Sequence, residues 1–102
     1  MSVKKQFLKS RPECKVTFKL DKLPNAKSVN IVGDFNNWDT AETTMDKLKN
    51  GSFSKTCYLE NGKQVQFRYL VDQELWLTEE EADGFADTGM DDQQKNAILD
   101  LN

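Results

Sequence analysis

Three side chains in this 102-residue sequence are of types suited to chemistry and stand apart from any core pattern. Trp38 follows Asp34-Phe35-Asn36-Asn37, a stretch too rich in Asn and Asp for a strand interior, which places it in a polar loop. Arg68 projects from the opposite side of a strand whose inward residues are Phe67 and Tyr69, and Trp76 lies on a short apolar stretch shortly after it. An exposed aromatic pair beside a guanidinium suits a neutral polyhydroxylated ligand. Indoles cover the apolar C–H face of a sugar ring, while Arg, Asn and Gln meet its hydroxyls. Position alone leaves both tryptophans open to a second reading, as core residues, because aromatic side chains are usually buried.

Other chemistries are excluded by composition or spacing. The sequence has no histidine, which removes Ser–His–Asp and Cys–His nucleophilic catalysis, histidine acid–base work and most zinc sites. Cys14 and Cys57 read as reduced, buried, small apolar residues, with a bridge between them as the alternative. No base is at hand to activate either one. The acidic set Glu79, Glu80, Glu81, Asp83, Asp87, Asp91 and Asp92 reads as a solvated face. A glycosidase needs two carboxylates across a cleft, one of them desolvated. Asp87-Thr88-Gly89-Met90-Asp91-Asp92 lacks the ligand spacing of an EF-hand. Gly33 opens no phosphate loop. No catalytic residue, metal or cofactor is therefore expected.

Lys and Arg number 14 against 17 Asp and Glu, a net charge of −3 with no basic stripe. Nucleic-acid binding by counterion release would want the opposite sign. No apolar run is long enough to span a membrane, and no signal-peptide pattern opens the chain, so a cytoplasmic location is expected.

The elements that must position these residues are strands. Residues 1–12 are basic and polar up to Pro12 and read as an N-terminal arm or edge strand ahead of one domain over 13–102. Cys14, Val16, Phe18 and Leu20 alternate with Lys15, Thr17, Lys19 and Asp21, which predicts a half-buried strand. Residues 21–27 read as a turn and 28–33 as a second strand; Met45 and Leu48 are candidate anchors in the polar stretch that follows. Phe53, Cys57 and Leu59 share one face of a third strand. Lys55 interrupts that face, so its stem must snorkel or the strand must lie at an edge. Asn61-Gly62 is a strong hairpin signal before the clearest strand, in which Val65, Phe67, Tyr69 and Val71 alternate with Gln64, Gln66, Arg68 and Leu70. Leu75-Trp76-Leu77 is a short strand, residues 78–95 a long surface excursion, and 96–101 a closing strand. With no apolar period of 3.6, about seven short strands predict an all-β, antiparallel β-sandwich. The expected core is Val16, Phe18, Ile31, Phe53, Leu59, Val65, Phe67, Tyr69, Ile98 and Leu101.

The stretch Val29-Asn30-Ile31-Val32-Gly33-Asp34-Phe35-Asn36-Asn37-Trp38 resembles the signature strand and loop of the early-set glycogen-binding modules. These occur at the N-terminus of branching enzymes and isoamylases and in the β subunit of AMP-activated protein kinase. The resemblance continues through Gly51-Ser52-Phe53, the Asn61-Gly62 hairpin, Phe67-Arg68-Tyr69-Leu70-Val71-Asp72 with Trp76 behind it, and Lys95-Asn96-Ala97-Ile98-Leu99, over roughly residues 14–101. It implies an immunoglobulin-like, early-set β-sandwich that binds α-1,4-linked glucan without catalysis, and a glycogen-metabolising enzyme as a partner. The alternative is an early-set docking or regulatory domain that has kept the fold and lost the sugar. By the same resemblance Trp38 stacks on glucose, Trp76 forms the second stacking wall, and Arg68 and Asn96 hydrogen-bond the ligand. Asn37 and Gln94 complete the candidate set. The sequence departs from the family at Asp72-Gln73-Glu74-Leu75-Trp76, where the turn has no glycine and is one residue longer, and in the acidic 79–92 segment.

Overall fold

Cys14, Val16, Phe18 and Leu20 are buried on one side of a strand whose other side carries Lys15, Thr17 and Lys19, as the alternation requires. In the computed structural model of the chain, which describes residues 1–23, 25–88 and 95–102, this strand is β2 (Glu13–Leu20). β1 (Ser2–Phe7) pairs with one edge of it and β5 (Phe53–Glu60) with the other. β4 (Asp46–Lys47) completes the first sheet, in the order β1-β2-β5-β4.

The second sheet is built on β6 (Gln64–Val71). β3 (Val29–Gly33) pairs along one edge of β6. The opposite edge is shared: β9 (Lys95–Asp100) opposes residues 64–67, and β7 (Leu75–Leu77) opposes residues 69–71. Arg68 stands where one of these neighbours stops and the other begins. β8 (Gly84–Asp87) lies beyond β9. All these pairings are antiparallel, and the two sheets face each other as a β-sandwich. The core between them centres on Phe18, whose ring meets Phe67 edge-on at 5.2 Å, with Phe67 in turn edge-on to Tyr69 at 5.7 Å.

The predicted strand class holds, with nine strands among the described residues in place of about seven. The N-terminal stretch supplies an edge strand, and two short strands, β4 and β8, arise inside segments whose polarity hides them. β5 meets β4 only at Phe53 and Ser54, so Lys55 comes where that strand becomes an edge. Met45 is buried, but Leu48 is exposed. Ile98 is not a core residue. Ala97 opposes Phe67 and Leu99 opposes Val65, so Ala97 and Leu99 point inward and Ile98 outward. Leu101 is buried just past the strand end, its backbone bonded to Lys63 and Gly62.

Glu79 departs furthest from expectation. It is 0% exposed, not solvated. Its Oε1 accepts the Tyr69 hydroxyl at 2.8 Å and its Oε2 accepts the Glu81 N–H at 3.0 Å. Burial and the adjoining carboxylate push the Tyr69 hydroxyl far above its ordinary pKa. Both cysteines are free, and burial raises the Cys57 thiol.

Candidate functional site

The loop after β3 explains its own sequence residue by residue. A Cβ on Gly33 would stand 2.5 Å from the Gln66 carbonyl oxygen and 2.7 Å from the Phe67 Cβ, so only glycine lets β3 approach β6 so closely. Asp34–Asn36 form a single 3₁₀ turn. Phe35 turns back to the core and stacks on Phe18 with ring centres 6.1 Å apart. Asn36 is buried and locks the loop. Its Oδ1 accepts the Gly33 N–H at 3.0 Å, and its Nδ2 donates to the Ile31 carbonyl at 2.8 Å and to Thr43 Oγ1 at 3.0 Å.

The chain then bends sharply, with Asn37 at φ 57° and Trp38 at φ 58°. A bulky residue in the left-handed region carries strain of about 1 kcal/mol. Two bonds hold Trp38 there: its backbone N–H donates to the Gly33 carbonyl at 2.9 Å, and its indole Nε1–H to Asp34 Oδ1 at 2.9 Å. The indole is half-buried, so Trp38 is neither a core residue nor a free one.

The second tryptophan is placed by a hairpin. Asp72 and Gln73 adopt φ 51° and 59°, and the Glu74 N–H donates to the Val71 carbonyl at 3.0 Å. A primed turn demands positive φ at both central residues, which elsewhere favours Asn-Gly. Here side chains stabilise it without glycine. Asp72 accepts the Lys27 and Ser28 N–H groups at 2.8 and 2.9 Å, and Gln73 donates to the Thr40 carbonyl at 2.8 Å and to Asn30 Oδ1 at 3.2 Å. The hairpin sets Trp76 opposite Leu70 and Leu77 opposite Tyr69. Tyr69 points into the core, so Trp76 falls on the outer face of the sheet.

Arg68 is on that same face, opposite Val32. It is 6% exposed, and its guanidinium carbon stands 5.1 Å from the centre of the Trp76 ring. Asn96 precedes the inward Ala97 and so also points outward; it is 9% exposed and donates through Nδ2 to Gln66 Oε1 at 3.1 Å. The register thus gathers Arg68, Trp76, Asn96 and Gln66 on one face. Asp34 ties Trp38 to them, because its Oδ2 accepts the Gln66 N–H at 2.7 Å. Asn37 is exposed at the bend. Gln94 lies outside the described residues.

Sequence reasoning missed Asp34, Gln66 and Gln73. Alternation marks Gln66 as outward, but nothing local signals that Asp34 and Gln73 reach across to other strands. Among the described residues no group of three or more Cys, Asp or Glu side chains is placed to hold a metal ion. No helix there is long and apolar enough to cross a membrane.

The family model describing the glycogen recognition site of AMP-activated protein kinase matches residues 14–98, which is most of the chain. No curated protein matches it.

Proposed function

The chain belongs to the family of the glycogen recognition site of AMP-activated protein kinase, and we propose that it is a non-catalytic module that grips α-1,4-linked glucan on Trp38 and Trp76. Arg68 and Asn96 meet sugar hydroxyls, with Asn37 and Gln94 as further amide contacts. The substrate class is glycogen, starch or maltodextrin. One arrangement supports the reading above the others: Trp76, Arg68 and Asn96 share an outer sheet face, on which Trp76 is half-buried and Arg68 and Asn96 are buried.

Each indole covers about 80 Å² of sugar, worth roughly 2 kcal/mol at ~25 cal/mol/Å². Hydrogen bonds from Arg68 and Asn96 add ~1 kcal/mol each, since sugar hydroxyls give up water to make them. Ordering takes part of that back, leaving a dissociation constant between roughly 0.1 and a few mM for a short oligosaccharide. Retention at that affinity needs a polymer with many chain segments, or a partner with a site of its own. A glycogen-metabolising enzyme is the partner such a module would carry to its substrate.

The test is a native gel cast with glycogen. Wild-type protein is retarded relative to a glycogen-free gel, and Trp38→Ala migrates equally in both. Wild-type migration that does not change at any glycogen loading refutes the reading.

A further inference from the structure

Asp34 sits at the first position of the 3₁₀ turn, exposed to solvent, and no part of the glucan reading requires it. Its two carboxylate oxygens are nevertheless divided between two different elements. Oδ1 takes the Trp38 indole N–H at 2.9 Å, and Oδ2 takes the Gln66 backbone N–H at 2.7 Å. The second bond lies next to the last rung of the β3–β6 ladder, Gly33 opposite Phe67. The carboxylate therefore extends the strand pairing by one side-chain link and hangs the Trp38 ring from it.

Both partners are N–H donors, so the position needs two acceptors on a short stem, which a carboxylate supplies. Asparagine would turn an NH₂ group toward one of the donors. The connection runs further, since Gln66 Oε1 accepts the Asn96 amide at 3.1 Å. Trp38 and Asn96 are thereby fixed to the same residue of β6 from opposite directions.

We propose that Asp34 is a positioning residue of the glucan site, holding the Trp38 indole by its N–H so that the ring meets sugar in one preset orientation. The proposal rests on the glucan reading above for its consequence, though not for its geometry. It makes a specific statement about recognition: Trp38 contributes its face alone, because its only polar atom is already committed to Asp34. An indole free to turn about its side-chain bonds must be immobilised by the ligand, and that lost freedom weakens binding.

The test combines calorimetric titration with maltoheptaose and the indole ¹H–¹⁵N resonances of the two tryptophans, on wild type, Asp34→Asn, Asp34→Ala, Trp38→Phe and the Asp34→Ala/Trp38→Phe double variant. Thermal unfolding verifies that each is folded. Asp34→Asn and Asp34→Ala should weaken binding roughly three- to tenfold and move the Trp38 indole resonance while leaving that of Trp76 in place. Phenylalanine keeps a ring but has no N–H, so Asp34→Ala should cost clearly less in the Trp38→Phe background, where only the bond to the Gln66 N–H is left to lose. Folded Asp34 variants that bind like wild type overturn the proposal, as does an equal loss in both backgrounds. A wild type that fails to bind maltoheptaose counts against the glucan reading instead. In that event a Trp38 indole resonance unmoved by Asp34→Asn still overturns the positioning role.

Discussion

The guanidinium of Arg68 lies against the Trp76 ring, its carbon 5.1 Å from the ring centre, with Arg68 itself only 6% exposed. A cation so placed is attracted to the π face, and the pair is worth about 0.5–2 kcal/mol. Arg68→Met, which keeps an apolar stem and removes the charge, should loosen Trp76 and weaken maltoheptaose binding severalfold with little change in fold. Trp76→Ala should cost about 2 kcal/mol, close to thirtyfold, through lost stacking area. Calorimetric titration of both variants checks the order: the tryptophan loss must exceed the arginine loss.

Gly33→Ala should be among the most damaging single-methyl changes in the chain. The new Cβ would be 2.5 Å from the Gln66 carbonyl oxygen and 2.7 Å from the Phe67 Cβ, and neither is the yielding end of a side chain. β3 and β6 must separate at the rung that anchors the Trp38 loop. A loss of about 3 kcal/mol is expected in urea unfolding, and wild-type stability in that assay would contradict the close approach.

Asn36→Ala removes three hydrogen bonds at one buried position and strands the Gly33 N–H and Ile31 carbonyl. Unpaired buried groups make this cost about 2–3 kcal/mol. Because the same side chain shapes the bend at Asn37 and Trp38, glucan affinity should fall even at temperatures where the variant is fully folded. Titration at low temperature separates the two effects.

Acid should act through the β6–β7 turn. The Ser28 and Lys27 N–H groups hold the Asp72 carboxyl below the ordinary aspartate value. A folded pKa below the unfolded one supplies stability above the unfolded value, about 3.9, that is lost as pH falls through the folded one. Asp72→Asn should therefore be less stable than wild type at neutral pH, with the difference shrinking as pH drops from about 5 toward 2. Urea midpoints across that range check it. A difference independent of pH would contradict the assignment.

Much of the fold was legible because period-two alternation is a local signal. β2 and β6 follow it closely, and the inward sets Cys14, Val16, Phe18, Leu20 and Val65, Phe67, Tyr69, Val71 are all buried. What escaped was set by contacts between distant segments. Val32 and Leu70 are on the outer face yet buried, because that face is covered around Arg68 and Trp76. Alternation cannot report such a second layer. Glu79 belongs to an acidic run in the sequence, but its carboxylate is buried against a hydroxyl ten positions earlier in the chain. Ile98 is a bulky apolar residue of the last strand, yet the inward phase there belongs to Ala97 and Leu99 and continues to Leu101 just past the strand end. At the site, residue types pointed to Trp38, Arg68 and Trp76 and the family resemblance to Asn96, whereas Asp34 acts through a bond to a residue 32 positions away.

Intrinsic fluorescence of wild type and Trp38→Ala during titration with maltoheptaose bears most directly on the account. The expected result is a saturable quench and blue shift in wild type that is largely lost in Trp38→Ala. An emission spectrum that stays flat in wild type up to the highest sugar concentration would contradict it.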